Sequence, residues 1–369
     1  MKKILVGMIS SVGAYGLDNY VFSFWKYASN YAQVDSLGSR YNQELEQTLH
    51  SKGCAFHVVS GLKNPIKQYL QVRELIRKNH YDMVYLNMST AMSVPVLMAA
   101  HDCGVERVLV HSHSAGFDAA SPWKRKLMTL LHRLCKGLVC RSANEFLTCS
   151  DKAAQWMFTK KVNDSGKVRR IQNAVDVSKF RFDPERREAL REQLGVRDKF
   201  VIGMVGNMTY VKNHRFIIDV FSRVAGQNPD SVLVILGDGG LRGAIEQQIR
   251  DCGLQDRVLL LGQVRASDGY MSAFDLFVMP SHFEGMPIVS VEAQCAGLPC
   301  IFSDRITREA RITGQCSFLP IEEPELWVSG ILKEMTTRRE RKEVEVDLRP
   351  YSVEAQNETF QWLLQEKGM

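Results

Sequence analysis

The chain has 369 residues, of which 45% are hydrophobic and 24% are charged, a composition typical of a globular protein and unlike that of a disordered chain. A chain of this length usually forms more than one hydrophobic core, so we expect two domains of well under about 200 residues each. The net charge of +6 suits an anionic ligand or a membrane surface and does not require a nucleic-acid partner.

The cysteine pattern and the apolar runs favour a cytoplasmic protein. The nine cysteines form no C-x-x-C pair, which fits neither a disulfide framework nor a zinc site and favours a reducing compartment. The apolar run at residues 4–9 is too short for a signal peptide and leads into a glycine-containing loop, so we interpret it as a first core strand. The later run at residues 92–100 is too short to span a bilayer, and we expect any membrane contact to be peripheral.

Short apolar runs alternate with helical patterns along the chain, which predicts parallel sheets built from β–α–β units. The first series of predicted strands covers residues 4–9, 56–59, 83–86, 108–111 and 146–149. After a charged helix at 184–194, a second series covers residues 201–205, 232–236, 258–261, 276–279 and 299–302. Segment 337–349 is predicted to be a solvated helix and loop, and 351–365 a last amphipathic helix. The pattern predicts two doubly wound α/β domains that join near residues 172–184.

The stretch SPWKRKLMTLLHRLCKGL, residues 121–138, predicts a helix with two possible roles. Apolar residues recur at helical spacing and basic residues fill the remainder: Trp123, Leu127, Leu130, Leu131 and Leu134, with Lys124, Arg125, Lys126, Arg133 and Lys136. An apolar stripe bordered by cations is typical of a helix in the headgroup layer of an anionic bilayer. The alternative is an ordinary helix whose leucines pack on the sheet and whose charges are solvated.

Ligands of open α/β sheets bind outside the carboxyl ends of the strands, so the loops after the predicted strands are candidate sites. After residues 201–205, Gly206 allows the backbone to approach a ligand, and Lys212 is a candidate phosphate partner or a solvated surface lysine. After residues 232–236, Gly237-Asp238-Gly239-Gly240 resembles a dinucleotide fingerprint. Its spacing differs, and the next strand ends in Leu261-Gly262-Gln263 without an acid for the ribose, so we favour a tight turn over a nicotinamide site.

The stretch HFEGMPIVSVEAQCAG places two carboxylates, Glu284 and Glu292, on either side of Gly285-Met286-Pro287. Pro287 is predicted to be the first residue of a helix that runs through Ala296, whose N-terminal amides would bind a phosphate or a polar sugar. Glu284 precedes the helix, and Glu292 lies about a turn and a half into it. Two acceptor carboxylates around a cluster of amide donors suit a nucleoside diphosphate sugar.

This stretch closely resembles the E-x7-E signature of retaining glycosyltransferases of the GT-B fold, in particular the glycosyltransferase family 4 enzymes of capsule and exopolysaccharide synthesis. Further matching segments are residues 107–114, 148–150, 171–176, 212–213, 237–239 and 296–299. The resemblance implies two Rossmann-like domains that face each other across a cleft. Residues 1–178 would bind the acceptor and 179–349 the nucleotide sugar, and 350–369 would form a helix returning to the first domain.

The resemblance also implies roles for individual residues. Glu284 would contact the hydroxyls of the donor sugar, and Glu292 the ribose. Lys212 would pair with the diphosphate, to which Gly285, Met286 and Pro287 present backbone groups. His113 would lie over the sugar ring, with His111 as the alternative histidine, and either is otherwise a core or strand-end residue. The expected catalytic residues are therefore Glu284, His113 and Lys212.

Two positions depart from the family pattern. Asn207 follows Gly206 where the family usually has an arginine, so another cation or a helix N-terminus is expected to meet the diphosphate beside Asn207. The candidates are Arg215, Arg265 and a helix N-terminus. The loop after the first strand lacks the usual paired glycines, which leaves Gly16 as the expected point of close approach to the donor.

The expected function is transfer of a sugar from a UDP-sugar to a hydroxyl of a lipid-linked saccharide in bacterial surface polysaccharide synthesis, with retention of configuration. The enzyme would be cytoplasmic, with peripheral contact to an anionic membrane as a hypothesis and no nucleic-acid partner. The absence of Asp-x-Asp predicts a reaction that needs no metal cofactor. The alternatives are a nucleotide-sugar epimerase of the same fold, a degenerate nucleotide-sugar-binding protein and a dehydrogenase.

Overall fold

The computed structural model describes residues 1–12, 16–264, 267–337, 341 and 347–365. The chain divides into two compact units, and the division differs from a simple cut of the sequence. The first unit comprises Met1–Phe117, Pro122–Asn173 and the chain from Glu354 onward. The second unit comprises Asp118–Ser121 and Ala174–Val353.

Strands and helices alternate through both units. The first part of the chain contains β1 (Lys3–Gly7), α1 (Gly16–Ala28), β2 (Gln33–Gly38), α2 (Gln43–His50), β3 (Phe56–Val58), α3 (Pro65–Asn79), β4 (Met83–Met88), α4 (Val94–Asp102), β5 (Arg107–Ser112), α5 (Pro122–Ser142), β6 (Glu145–Thr148), α6 (Asp151–Met157), α7 (Lys160–Asn163) and β7 (Val168–Arg170). The remainder contains α8 (Pro184–Gln193), β8 (Phe200–Val205), α9 (His214–Gln227), β9 (Ser231–Leu236), α10 (Arg242–Asp251), β10 (Val258–Gly262), α11 (Asp268–Ala273), β11 (Leu276–Met279), α12 (Ile288–Cys295), β12 (Cys300–Ser303), β13 (Cys316–Leu319), α13 (Pro324–Thr337) and α14 (Val353–Gln365).

Each unit is built on one parallel sheet. In the described residues, the first sheet has seven strands in the order β3-β2-β1-β4-β5-β6-β7, and the second has six in the order β10-β9-β8-β11-β12-β13. The order reverses between β1 and β4 in the first sheet and between β8 and β11 in the second. In doubly wound sheets this reversal opens a crevice at the carboxyl ends of the two strands, where ligands bind. The predicted fold class, two doubly wound α/β domains, is confirmed.

The cores lie on both faces of each sheet. All six residues of β4 are buried, as expected for a parallel strand covered by helices on both sides. In the second unit the ring of Phe274 packs so closely on β8 that a Cβ at Gly203 would lie 2.0 Å from it. Each fully buried apolar side chain of this size stabilises the fold by about 1.5–3 kcal/mol relative to exposure.

Helix α14 packs in the first unit. Phe360 and Leu363 are fully buried in the core that also contains Phe24. The carbonyl oxygen of Leu363 accepts a hydrogen bond of 2.6 Å from Nη1 of Arg107. Because Arg107 is itself buried and paired with Glu145, this contact joins the last helix to the strand that carries His111.

The predicted strands agree with the observed ones to within about two residues at each end, but three strands were missed. These are β2, β7 and β13. Segment 337–349 falls largely outside the described residues, and Arg341, which is described, is partly buried and bonded to the backbone of the second unit. Its guanidinium donates to the carbonyl oxygen of Met271 over 2.9 Å, and burial lowers its pKa to about 9.

The side of α5 that packs on the first unit is not the leucine-rich side, which an ordinary helix would bury. His132 and Val139 are fully buried, whereas the apolar residues of the predicted stripe are exposed. The expectation that these leucines pack on the sheet is therefore wrong. Among the described helices, none combines the length and apolar character needed to cross a bilayer.

Candidate active site

The loop between β8 and α9 places Lys212 beside Glu284. Lys212 Nζ donates to Glu284 Oε1 over 2.7 Å, and both side chains are about 15% exposed. The lysine stem crosses Gly206, where a Cβ would lie 2.9 Å from Lys212 Cε, and Gly206 has a φ of 156°. A side chain at position 206 would therefore displace the lysine, which explains the glycine next to this cation.

Three contacts tie this loop to the segment after β11. Asn213, in the left-handed region at φ 56°, donates from Nδ2 to the carbonyl oxygen of Pro280 over 3.1 Å. The backbone N–H of His282 donates to Val211 over 2.8 Å, and the His282 ring stacks on Tyr210 at 4.2 Å. These contacts join the loops of two neighbouring strands at the reversal in strand order, so the Lys212–Glu284 pair is held from both sides. Sequence analysis included Asn213 in a segment that resembles the family, but it gave no role to Asn213, Tyr210 or His282, although each lies within a few residues of a strand end.

The helix predicted from Pro287 through Ala296 is one residue shorter at each end. Pro287 is the N-cap, with ψ at 115°, and α12 begins at Ile288 and ends at Cys295. The Pro287 carbonyl accepts from the N–H of Ser290 at 3.0 Å and from its hydroxyl at 2.7 Å, which forms the first turn. Gly285 and Met286 are buried in the segment that enters this turn.

Glu292 lies on α12 in the electrostatic field of Lys212. Burial raises the pKa of Glu292 to about 7, the nearby Lys212 opposes this rise, and Asp268 reinforces it. Asp268 is in turn paired with Arg186. One lysine therefore acts on both carboxylates of the E-x7-E stretch, while Glu292 remains a carboxyl group that titrates near neutral pH.

The glycine-rich turn after β9 packs backbone against backbone. A Cβ at Gly237, whose φ is 134°, would lie 2.1 Å from the carbonyl oxygen of Gly206, and a Cβ at Gly239 would lie 2.7 Å from that of Met208. The N–H of Met208 donates to Asp238 over 2.9 Å. These glycines are required where two loops of the unit touch, and the turn supports the loop that carries Lys212.

Asn207 occupies the position where the family usually has an arginine, and the structure describes some of the groups that were expected to replace that arginine. Asn207 is exposed beside Gly206, and Arg215 is exposed in the first turn of α9. Arg265 lies outside the described residues. Helix α9 begins at His214, two residues after Lys212, so its N-terminal amides lie at the end of the same loop.

In the first unit, the predicted glycine Gly16 is the first residue of α1. Its φ of 58° favours glycine, and a Cβ there would meet nothing within 4 Å, so conformation rather than space demands it. Upstream, the hydroxyls of Ser10 and Ser11 donate to Asp18 Oδ2 over 2.5 and 2.8 Å. Residues 13–15 lie outside the described residues.

His113 follows β5 in the first unit and contacts Asn87 at the end of β4. The His113 Nε2 atom lies 2.9 Å from Asn87 Oδ1, a contact that requires the proton on Nε2. Burial lowers the pKa of His113 to about 3, so the ring is neutral at neutral pH. Sequence analysis missed Asn87, whose only signal is a polar residue near the end of a buried strand.

His111 is more deeply placed than His113 and belongs to a buried chain of hydrogen bonds. Its Nδ1 atom lies 2.8 Å from the Tyr85 hydroxyl, which lies 3.0 Å from the Tyr20 hydroxyl. Burial holds the pKa of His111 well below its usual range. His111 is fully buried and His113 partly exposed, which favours His113 as the histidine that meets a ligand.

Within the described ranges, no group of three or more histidine, cysteine, aspartate or glutamate side chains is arranged to hold a metal ion.

Comparison with known proteins agrees with this geometry. Residues 28–174 match the family model of the glycosyl transferase 4-like domain, and residues 186–331 match that of glycosyl transferases group 1. EpsF of Bacillus subtilis (strain 168), a protein named as a glycosyltransferase, is 29% identical over 353 residues, covering 93% of this chain and 90% of its own length.

A second relative and one solved structure extend the comparison. The UDP-Gal:alpha-D-GlcNAc-diphosphoundecaprenol alpha-1,3-galactosyltransferase of Escherichia coli is 30% identical over 248 residues, covering 66% of this chain and 63% of its own. The structure of Anabaena HepE with UDP-glucose has a TM-score of 0.74 and 19% identity, with 99% of each chain covered. The chain thus matches a glycosyl transferase 4-like domain followed by a glycosyl transferases group 1 domain, and its two doubly wound sheets have the GT-B fold.

Proposed function

We propose that the enzyme transfers a sugar from a UDP-sugar to a hydroxyl group of a lipid-linked saccharide, with retention of the anomeric configuration. The observation that carries the proposal is the Lys212–Glu284 ion pair beside Glu292, at the carboxyl ends of the neighbouring strands β8 and β11. A cation that contacts one carboxylate and acts electrostatically on a second suits a donor that carries anionic phosphates as well as hydroxyls.

Two relatives support the donor and the acceptor. HepE has been crystallised with UDP-glucose, which favours a uridine nucleotide. The Escherichia coli relative is named for a UDP-Gal donor and a diphosphoundecaprenol-linked acceptor, and EpsF is named as a glycosyltransferase, which together favour transfer of a sugar to a lipid-linked acceptor.

In the proposed reaction the bond between the sugar C1 and the phosphate oxygen breaks, and its electron pair leaves with the diphosphate. Lys212 and the amides that lead into α9 and α12 stabilise this developing charge. Lys212 has three N–H donors, so it can keep its bond to Glu284 while it meets a phosphate oxygen.

The acceptor oxygen bonds to C1 from the face that the diphosphate leaves, and its proton passes to the departing phosphate oxygen. Glu284 is engaged by Lys212, which makes it a weak nucleophile and favours a contact with the sugar hydroxyls instead. Glu292 accepts hydrogen bonds from the ribose, and Gly285, Met286 and Pro287 position the donor between the two. His113, neutral and with its proton on Nε2, can accept a hydrogen bond from a sugar hydroxyl through Nδ1 without adding charge.

A thermal-shift panel with UDP-glucose, UDP-galactose, UDP-N-acetylglucosamine, GDP-mannose and NADH tests the donor, because a ligand of the native state raises Tm. The UDP-sugars are expected to stabilise the protein most. Transfer to a lipid-linked acceptor is then followed by mass spectrometry, and the configuration of the product by NMR. An inverted product, an epimerised donor formed without acceptor, stabilisation by NADH alone, or binding without transfer would each overturn the proposal.

A further inference from the structure

Helix α5 exposes an apolar stripe that nothing in the described chain covers. Trp123 is 64% exposed, Leu130 54% and Leu134 68%, and Leu127, Leu131 and Leu138 are also exposed. At 100° per residue these six side chains fall within an arc of about 100°. The opposite side of the helix carries the fully buried His132 and Val139.

The inward side of α5 is firmly attached, so the stripe is fixed in its outward position. His132 Nε2 lies 2.8 Å from the carbonyl oxygen of Trp156, and its Nδ1 accepts the N–H of Ala91 over 3.0 Å. The His132 ring also stacks on Trp156 at 3.8 Å. Rotating the helix to hide the leucines would break these buried contacts.

The charges beside the stripe have one sign. Helix α5 contains six basic residues and no acidic residue: Lys124, Arg125, Lys126, Arg133, Lys136 and Arg141. On the helix surface, exposed Lys126 and Arg133 border one edge of the stripe and exposed Lys124 the other. A second copy of this helix would bring cations against cations, so self-association through this face is disfavoured.

We propose that the α5 stripe docks the first unit on the surface of an anionic lipid bilayer. The apolar residues enter the boundary between headgroups and acyl chains, and the flanking cations pair with lipid phosphates. The stripe is short, rigid and bordered by charge, which suits an interfacial position parallel to the membrane plane. The inference rests on this surface alone and does not depend on the proposed acceptor.

Co-sedimentation with vesicles tests the proposal on the full chain without an activity assay. The vesicles contain phosphatidylglycerol with phosphatidylethanolamine, or phosphatidylcholine alone, at low and moderate salt. Binding is expected only to the anionic vesicles, and salt should weaken it. The combined change Lys124→Gln, Lys126→Gln and Arg133→Gln should weaken partitioning on the order of a hundredfold, at about fivefold for each charge.

Substitutions of the leucines distinguish insertion of the α5 stripe into the membrane from electrostatic attraction alone. Leu130→Ser with Leu134→Ser should reduce binding at least about tenfold, since each buried carbon contributes to insertion. Trp123 reports the contact directly: its fluorescence should shift to the blue with anionic vesicles, and Trp123→Phe should abolish the shift.

Helix α3 of the same unit offers matched controls, because it too has exposed apolar and basic residues. Ile66→Ser with Leu70→Ser, and Lys67→Gln with Arg77→Gln and Lys78→Gln, should leave vesicle binding unchanged. Equal loss from the α3 and α5 changes, binding that ignores lipid charge, absence of binding, or a dimer in solution that the α5 leucine change dissolves would each overturn the proposal.

Discussion

Lys212 and Glu284 are 72 positions apart in the sequence, yet Nζ of the lysine lies 2.7 Å from Oε1 of the glutamate. The pair bridges the loops of two neighbouring strands, and both side chains are largely withdrawn from water. Removing either partner therefore leaves a charge without its counter-ion in a partly buried site, which costs more than the loss of an exposed pair.

Glu284→Ala is expected to lower turnover on the order of a hundredfold, as the loss of one group that stabilises a transition state does. The change removes the proposed contact to the transferred sugar and frees Lys212 from its partner. Steady-state kinetics measures kcat, and the melting temperature serves as the control for folding. A kcat within about threefold of the wild type in a folded variant would contradict a role in the transition state.

Glu292→Ala is expected to weaken donor binding roughly 10- to 100-fold with a smaller effect on turnover, because charged hydrogen bonds to the ribose are lost. In the wild type, donor binding should weaken about tenfold from pH 8 to pH 6, because protonation of a carboxyl with a pKa of about 7 removes the acceptor charge. Calorimetric titration with the UDP-sugar at both pH values measures this. Glu292→Gln is the control, since its binding should not follow pH.

Glu292→Gln is expected to stabilise the protein without ligand at pH 8 and to change it little at pH 4.5. Burial raises the pKa of Glu292 to about 7 from the ordinary 4.5, so the folded state binds this proton more tightly than the unfolded state does. The wild type therefore loses stability as pH rises from about 4.5 to about 7, and the amide does not. Each kcal/mol that the amide adds to the free energy of unfolding should raise Tm by roughly 2–4 °C. A larger gain at pH 4.5 than at pH 8 would contradict this assignment.

Asn87→Asp is expected to raise the pKa of His113 by roughly 1–3 units, because it places a carboxylate 2.9 Å from Nε2. NMR titration of the His113 ring measures the shift in the protein without donor. The wild-type pH–rate profile should show no limb from His113 above pH 5, since its pKa is about 3. An unchanged pKa of His113 in a folded Asn87→Asp protein would contradict the contact between these two side chains.

Transfer is expected to proceed after treatment with a chelator, because Lys212 and the helix amides would carry the charge that a divalent ion carries in metal-dependent transferases. The measurement is initial rate with and without EDTA, followed by addition of manganese or magnesium. Activity abolished by the chelator and restored by either ion would reject the prediction.

The sequence predicted the strands that bear apolar runs and missed those whose stability depends on contacts made elsewhere. Strand β2 carries a buried Asp35, which no local pattern would place in a core. Its carboxylate accepts the N–H of Ala55 over 2.8 Å and the hydroxyl of Tyr81 over 2.7 Å, so partners distant in sequence make the strand possible. Strands β7 and β13 are short sheet edges, where fewer apolar residues are required.

From the sequence, we could predict which loops form the site but not the contacts between them. Glu284 and Glu292 are recognisable because they follow a buried strand and enter a helix in a fixed spacing. The Lys212–Glu284 distance, the link from Asn213 to Pro280 and the raised pKa of Glu292 depend on how β8 and β11 lie side by side, which the sequence does not encode locally. For α5, helical spacing predicted the stripe, but the buried contacts of His132 decide which side faces water.

The position of α14 affects the order in which the protein can fold during synthesis. Phe360 and Leu363 complete a core whose other members lie in the first part of the chain, so the ribosome must translate the whole second unit before they emerge. At roughly 5–20 residues per second, the nascent first unit waits roughly 10–40 s with the apolar slot beside Phe24 open. While it remains empty, this apolar slot is a natural target for chaperones. In a chain that is truncated before Phe360, the slot would stay open permanently.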